Sequence, residues 1–191
     1  MIIGLCGKKG CGKSTVADLI VKNFKFSKAS FATPIKDMLM AMGLTEEEIW
    51  DPELKEKKIE RFGKSPREML QLLGTEFGRN LIVDDVWVRA LEHRIKDAEK
   101  VIIDDVRFPN EAEMIRGNGG VIVRVVRAGQ EMGMVDTHVS EQGLDAELID
   151  REIQNISCYE TDLELVVNRV MEEILYYGAV QHPQPECLSG Q

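Results

Sequence analysis

Apolar residues recur along the chain in two rhythms. Short, mostly apolar runs, Met1–Cys6, Val101–Asp104 (apolar through Ile103) and Val121–Val126 (broken only by Arg124), have the β-branched and aliphatic character of strands buried on both faces. Between them, apolar residues three and four apart would share one face of a helix. MIIGLC therefore predicts a strand, and the segment running to about Asn23, with Val16, Leu19 and Ile20 on one face, predicts a helix. A short strand is expected near Ala29–Phe31, then a helix after Pro34, because proline suits a first helical turn. Ser65, Pro66 and Glu68 have the spacing of a capping box with proline at the first helical position, so another helix starts there. Helices over Val86–Lys96 and Asn110–Arg116 precede the strands at Val101 and Val121. A weaker strand around Glu152–Ile156 and an amphipathic helix from Asp162 to about Tyr177 close the series. This order predicts an α/β fold with a mainly parallel sheet of about five strands flanked by helices.

Three segments break the rhythm. Residues 45–64 are highly charged with few apolar anchors, which reads as a solvated helical excursion or a loop, with Glu46–Glu48 and Lys55–Lys58 as exposed faces. Residues 127–145 are mostly polar. From 179 onward the chain has no periodicity and holds two of the six prolines, so disorder is expected there. One domain is expected over 1–178.

With 24 Lys and Arg against 33 Asp and Glu in 191 residues, the formal charge is −9. Such a surface disfavours binding to polymeric nucleic acid or an anionic membrane. The four cysteines lack CxxC or zinc-ligand spacing, which fits a reducing cytoplasm better than a disulfide scaffold. Nothing in the apolar start reads as a secretory signal or a transmembrane helix.

The strongest chemical signal is Gly7-Lys8-Lys9-Gly10-Cys11-Gly12-Lys13-Ser14, a full GxxxxGK[ST] phosphate-binding loop set between a predicted strand and a predicted helix. Glycines let backbone N–H groups turn inward onto phosphate oxygens, and the helix N-terminus that follows, with Thr15 in its first turn, reinforces the field. Lys13 is expected to reach the β- and γ-phosphates, and the Ser14 hydroxyl to ligate Mg²⁺. Cys11 reads as a small filler or as a thiol near a helix N-terminus.

Asp104-Asp105-Val106-Arg107 ends a predicted strand, and ligands of open α/β sheets bind beyond the carboxyl ends of strands. One aspartate would hold Mg²⁺, and Arg107 would clamp a phosphoryl group. Arg67 and Gln71 lie one turn apart on the helix from Pro66, with Gly74 and Thr75 beyond; a guanidinium beside an amide suits a phosphate and a base edge, but spacing alone favours a solvated face. Trp87 is read either as core or as a wall of the site, and His138 as a solvated loop residue or a phosphate contact.

Taken in order, GKKGCGKSTVADLI, FATPIKD, SPREMLQLLGTEFGR, the Trp87 helix, DDVRFPNEAEM, VVRAGQ and DTHVSE resemble the deoxynucleoside monophosphate kinases of large tailed bacteriophages over roughly residues 1–175. The resemblance implies a P-loop nucleoside-monophosphate-kinase fold and transfer of the ATP γ-phosphate to a deoxynucleoside 5′-monophosphate with Mg²⁺, in a host cytoplasm. It implies that Lys36, Arg67, Gly74, Thr75 and Trp87 contact the acceptor. It also implies that Asp105, Arg107 and Glu111 belong to the acceptor and transfer region, and that Arg127 lies on the nucleotide side of a lid-like loop over about 127–145. With these go Gln71 as an acceptor contact, Ser14 and Asp104 as Mg²⁺ ligands, and about 35–80 as an acceptor-binding helical insertion. The chain has Asn155-Ile156-Ser157-Cys158 where family members often carry an Asn-Asp-Gly turn. The alternatives are another small P-loop kinase, of dephospho-coenzyme-A or phosphomevalonate type, and a nucleotide-binding regulatory module that transfers nothing. A monophosphate is the expected partner, with a homodimer left open.

Overall fold

The computed structural model describes residues 1–127, 144–155 and 160–177. Its strands are β1 (Ile2–Cys6), β2 (Ser27–Ala29), β3 (Val101–Ile103), β4 (Val121–Arg127) and β5 (Arg151–Asn155). They form one sheet in the order β2-β3-β1-β4-β5, and every pairing is parallel. The helices are α1 (Lys13–Phe24), α2 (Thr33–Ala41), α3 (Glu46–Trp50), α4 (Pro66–Gln71), α5 (Val86–Ile95), α6 (Pro109–Gly117) and α7 (Glu160–Tyr177). Among the described residues no helix is long and apolar enough to cross a membrane.

The period-two geometry of β1 divides the core. Ile3 and Leu5 face a layer built by α1 and α7, with Val16, Ile20, Val167 and Met171 all buried. Cys6 faces the opposite layer, where Val88 and Leu91 of α5 and Ala112 and Ile115 of α6 cover Ile103 and Ile122. A third cluster, Leu39, Leu44, Ile49 and Met69, gives α2, α3 and α4 a small core of their own.

Element boundaries differ from the sequence reading where side chains intercept the backbone. The second strand ends at Ala29 and does not run to Phe31, because Asp105 accepts the N–H groups of Phe31 and Ala32 and so draws the chain off the sheet. Residues 45–64 are more ordered than a solvated excursion. Thr45 and Glu48 form a reciprocal capping box, Ile49 is fully buried, and a single helical turn, Leu54–Glu56, precedes α4. The capping box predicted at Ser65 and Glu68 is present.

Helix α4 continues without a break into a wider helix over Leu72–Ile82, whose turns close five residues apart, as from Val83 N–H to Gly78 O. A side chain inserted into the helical hydrogen-bond ladder disturbs a helix locally. Here the Trp87 indole donates from Nε1 to Gly74 O at 2.6 Å and lies where a Cβ on Gly78 would be, 2.3 Å from Cζ2. Of the expected lid over about 127–145, residues 128–143, with His138, lie outside the described residues, as does the tail from 179.

Candidate functional site

The phosphate-binding loop joins the end of central strand β1 to α1. Gly7, Gly10 and Gly12 all have positive φ, and at Gly7 a Cβ would stand 2.4 Å from Val125 O. Only glycine fits that position. Lys13 Nζ lies across the loop, 2.7 Å from Gly7 O and 3.0 Å from Lys8 O. Asn155, at the end of β5, donates to Cys11 O at 3.0 Å and so ties the sheet to the loop. Cys11 is buried in the α1 core layer, as a filler would be. Burial also pushes the Cys6 thiol up to about 11, which leaves it protonated near neutral pH.

A cavity of about 420 Å³ opens over this loop, lined by residues 7–11, Lys13, Arg124, Arg127 and Ile149 among others. Arg127 Nη1 approaches Gly10 O at 3.4 Å. Thr15 is exposed in the first turn of α1 and faces neither this cavity nor the next.

A second cavity, of about 250 Å³, lies between the carboxyl end of β3 and the insertion formed by α2 to α4. It brings together Ser14, Lys36, Gln71, Gly74, Thr75, Trp87, Asp104 and Asp105, all singled out from sequence. Lys13, Arg67 and Arg107 line both cavities. Ten basic side chains border the two spaces against two acidic ones, so a strongly positive cleft sits in an acidic protein.

The two aspartates are differentiated by their partners. Asp105 accepts from Ser30 Oγ at 2.6 Å and from the N–H groups of Phe31 and Ala32, both at 2.9 Å, so it shapes the cavity wall. Asp104 contacts Lys28 at 3.1 Å; burial and the neighbouring Asp105 charge raise its carboxyl above the usual range. Asp104 and the Ser14 hydroxyl line one cavity with oxygen donors, the type Mg²⁺ prefers. No group of three or more His, Cys, Asp or Glu among the described residues could hold a metal by itself.

Glu111 and Trp87, both expected acceptor contacts, serve the wall. Glu111 is buried and pairs with Arg79 at 2.5 Å, while its other oxygen accepts from Arg107 N at 2.7 Å and Phe108 N at 3.1 Å. Trp87, only 6% exposed, packs on the wide helix and borders the cavity. Lys36 sits 5.2 Å over the exposed Trp50 ring.

Three basic cavity residues escaped the sequence reading: Arg124 in the first cavity, and Lys55 and Arg79 in the second. Lys55, expected on an exposed face, lines the second cavity; its placement depends on the order of the turn that carries it. Arg79 lines the same cavity, and its signal was the four-residue spacing Arg67, Gln71, Thr75, Arg79. Between the cavities, Glu56 Oε1 accepts from Lys9 Nζ and Arg67 Nε, both at 2.7 Å.

The family model for deoxynucleotide monophosphate kinase matches residues 1–63 and 54–165. A protein of Acanthamoeba polyphaga mimivirus that carries the same family name is 35% identical, with 91% of each chain covered. The deoxynucleoside-5′-monophosphate kinase of Escherichia phage T5 is 42% identical over 98 residues, 48% of this chain and 39% of that one. The deoxynucleotide monophosphate kinase of Enterobacteria phage T4 is 26% identical over 75% of this chain and 87% of its own. In fold, the chain is similar to shikimate kinase from Bacteroides thetaiotaomicron, with a TM-score of 0.51 at 16% identity over 92% of this chain and 98% of that one.

Proposed function

The chain belongs to the deoxynucleotide monophosphate kinase family, and we propose that it transfers the γ-phosphoryl group of ATP to a deoxynucleoside 5′-monophosphate, giving ADP and the deoxynucleoside diphosphate. The observation that carries this reading is the sharing of Lys13, Arg67 and Arg107 by two cavities, one over the phosphate loop and one beside it. A phosphoryl donor and a phosphate acceptor need such a junction, because the transferred group passes between them. Family membership across residues 1–165 does not favour dephospho-coenzyme-A or phosphomevalonate transfer, or a module that transfers nothing.

The ATP triphosphate lies on the loop amides of residues 7–14 with Lys13, and Arg127 flanks it. Ser14 and Asp104 would hold Mg²⁺, which would supply neutralisation of phosphate charge there. The acceptor phosphate lies against Arg67 and Arg107, with its nucleoside among Gln71, Gly74, Thr75 and the Trp87 wall. Asp105 and Glu111 act as positioning residues through the backbone they hold.

No general base is needed. A phosphate monoester has a second pKa of about 6 and is largely dianionic at pH 7. One of its oxygens forms the bond to the γ-phosphorus as the bond to the β,γ-bridging oxygen breaks, and ADP leaves. Orientation and charge neutralisation then account for the catalysis.

The test is ADP formation from Mg-ATP with dGMP, dTMP, dCMP, dAMP and their ribose counterparts added singly. Strong stimulation by at least one deoxynucleotide is expected, and none by any of them would refute the reading.

A further inference from the structure

We propose that Lys55 binds the phosphate of the acceptor nucleotide and that the single helical turn Leu54–Glu56 exists to deliver it. The inference rests on the kinase reading above and adds a ligand that the sequence places on an exposed face.

The turn is built to hold one position. Asp51 Oδ1 accepts from Glu53 N at 2.9 Å and Leu54 N at 2.8 Å, and Lys55 N donates to Asp51 O at 3.0 Å. The following residue, Glu56, fastens the turn to Lys9 of the phosphate loop and Arg67 of α4. Lys55 is thereby fixed at the cavity beside Lys36, Arg67 and Arg107. These four cations come from four separate elements, and nothing local in the chain requires them to meet.

Such a meeting is unfavourable for the protein alone. Burial lowers the affinity of the Lys55 amine for its proton, and Lys36, Arg67 and Arg107 lower it further, to a pKa of about 8. Glu56 is the acidic neighbour that opposes this, and its Oε1 is already held by Lys9 and Arg67. A compact dianion placed among the four cations offsets their repulsion and accepts hydrogen bonds from the Arg67 and Arg107 forks and from the Lys55 ammonium. A phosphate monoester has that charge and that size.

The experiment measures initial rates at pH 7 with the most stimulatory deoxynucleotide varied at saturating ATP, and the reverse. Lys55→Met is expected to raise the acceptor KM about tenfold or more, to leave the ATP KM within about twofold, and Lys55→Arg to recover most of the loss. An unchanged acceptor KM, or equal rises in both KM values, overturns the assignment. Should Lys55→Met fail to fold, wild-type protein is acylated with and without the same monophosphate, and modification is read by peptide mass spectrometry. Protection of Lys55 is expected, and equal labelling overturns it. Wild-type protein that no monophosphate stimulates would instead overturn the kinase reading.

Discussion

Arg79 and Glu111 form a buried ion pair, Nη2 to Oε1 at 2.5 Å with both side chains only 4% exposed. The pair joins three elements at the deep wall of the second cavity. Arg79 stacks 3.8 Å over the Phe108 ring and donates to Asp84 O at 2.7 Å, ahead of α5. Glu111 receives the N–H groups of Arg107 and Phe108 at the start of α6. The backbone of Arg107, a residue shared by both cavities, is therefore held by a carboxylate that an arginine from the wide helix keeps in place.

Burying two charges gains little by itself, but removing one partner strands the other. Arg79→Met leaves the Glu111 carboxylate without its cation, and a loss of about 3–5 kcal/mol in unfolding free energy is expected. Urea denaturation at pH 7.5 measures it. A loss below about 1 kcal/mol would mean that the carboxyl is relieved by solvent or by taking up a proton, and no buried charge is stranded.

The same carboxyl gives a pH signature. Burial, with the Asp105 charge adding to it, pushes Glu111 up from 4.5 to about 7. Because the folded pKa lies above the unfolded one, this group contributes most to stability in acid, and its contribution is lost as pH rises from about 4.5 through about 7. Glu111→Gln removes that slope. Denaturant midpoints of both proteins at pH 5 and pH 8 test this, and an identical pH difference in the two would contradict it.

Much of the fold was legible because its signals are local. The five strands, the phosphate loop and the Ser65 capping box each follow from a few consecutive residues. The second strand was misplaced by two residues because the side chain that ends it, Asp105, is 73 to 75 positions away. Arg67, Gln71, Thr75 and Arg79 show how one backbone feature hides a site. In a regular α-helix a spacing of four drifts by about 40° per step, which would scatter the four residues around the axis. The wider turns over Leu72–Ile82 reverse that drift, and all four border one cavity. The widening itself accompanies a contact between Trp87 and Gly78 that no local pattern records.

Lys13 and Arg67 are predicted to fail differently. Lys13→Ala removes the cation nearest the loop carbonyls and should abolish transfer. Arg67→Ala should lower kcat/KM for the acceptor by about 10- to 100-fold, the range for a lost charge-assisted hydrogen bond, while ATP affinity stays within about threefold. Titration with a fluorescent ATP analogue beside steady-state rates separates the two. An equal loss of ATP binding in the Arg67 variant would contradict its assignment to the acceptor side.

Lys55 predicts an alkaline limit on acceptor use. Its pKa of about 8 means that the ammonium is charged at pH 7 and loses its proton as pH rises through 8, while the acceptor phosphate stays dianionic. The acceptor KM should therefore climb above pH 8 in the wild type. The neighbours that set this limit are Lys36, Arg67 and Arg107, which lower the pKa, and Glu56, which raises it; Lys13, Asp104 and Asp105 border the same cavity. Lys55→Arg keeps its charge throughout and should show a flat KM between pH 7 and 9.5. Parallel profiles for the two proteins would remove Lys55 as the source.

Gly78→Ala sets helix propensity against packing. In an exposed helix the change would stabilise by up to about 1 kcal/mol. Here the added Cβ would stand 2.3 Å from Cζ2 and 2.7 Å from Nε1 of Trp87, and a rigid indole in a packed layer cannot yield at its tip alone. Either the indole tilts and breaks its bond to Gly74 O, or the wide helix shifts outward; overpacking of this kind costs about 1–3 kcal/mol. The packing term is the larger, so a lowered thermal midpoint is expected. A red shift in tryptophan emission should accompany it, since Trp87 is buried and Trp50, the other tryptophan, is already half exposed. Because Gly74 and Thr75 border the second cavity on that same helix, the proposed acceptor site predicts a raised acceptor KM with the ATP KM unchanged. A midpoint equal to or above that of the wild type would show that the helix can widen further at no cost, and would sever the link between the Trp87 contact and the shape of the acceptor wall.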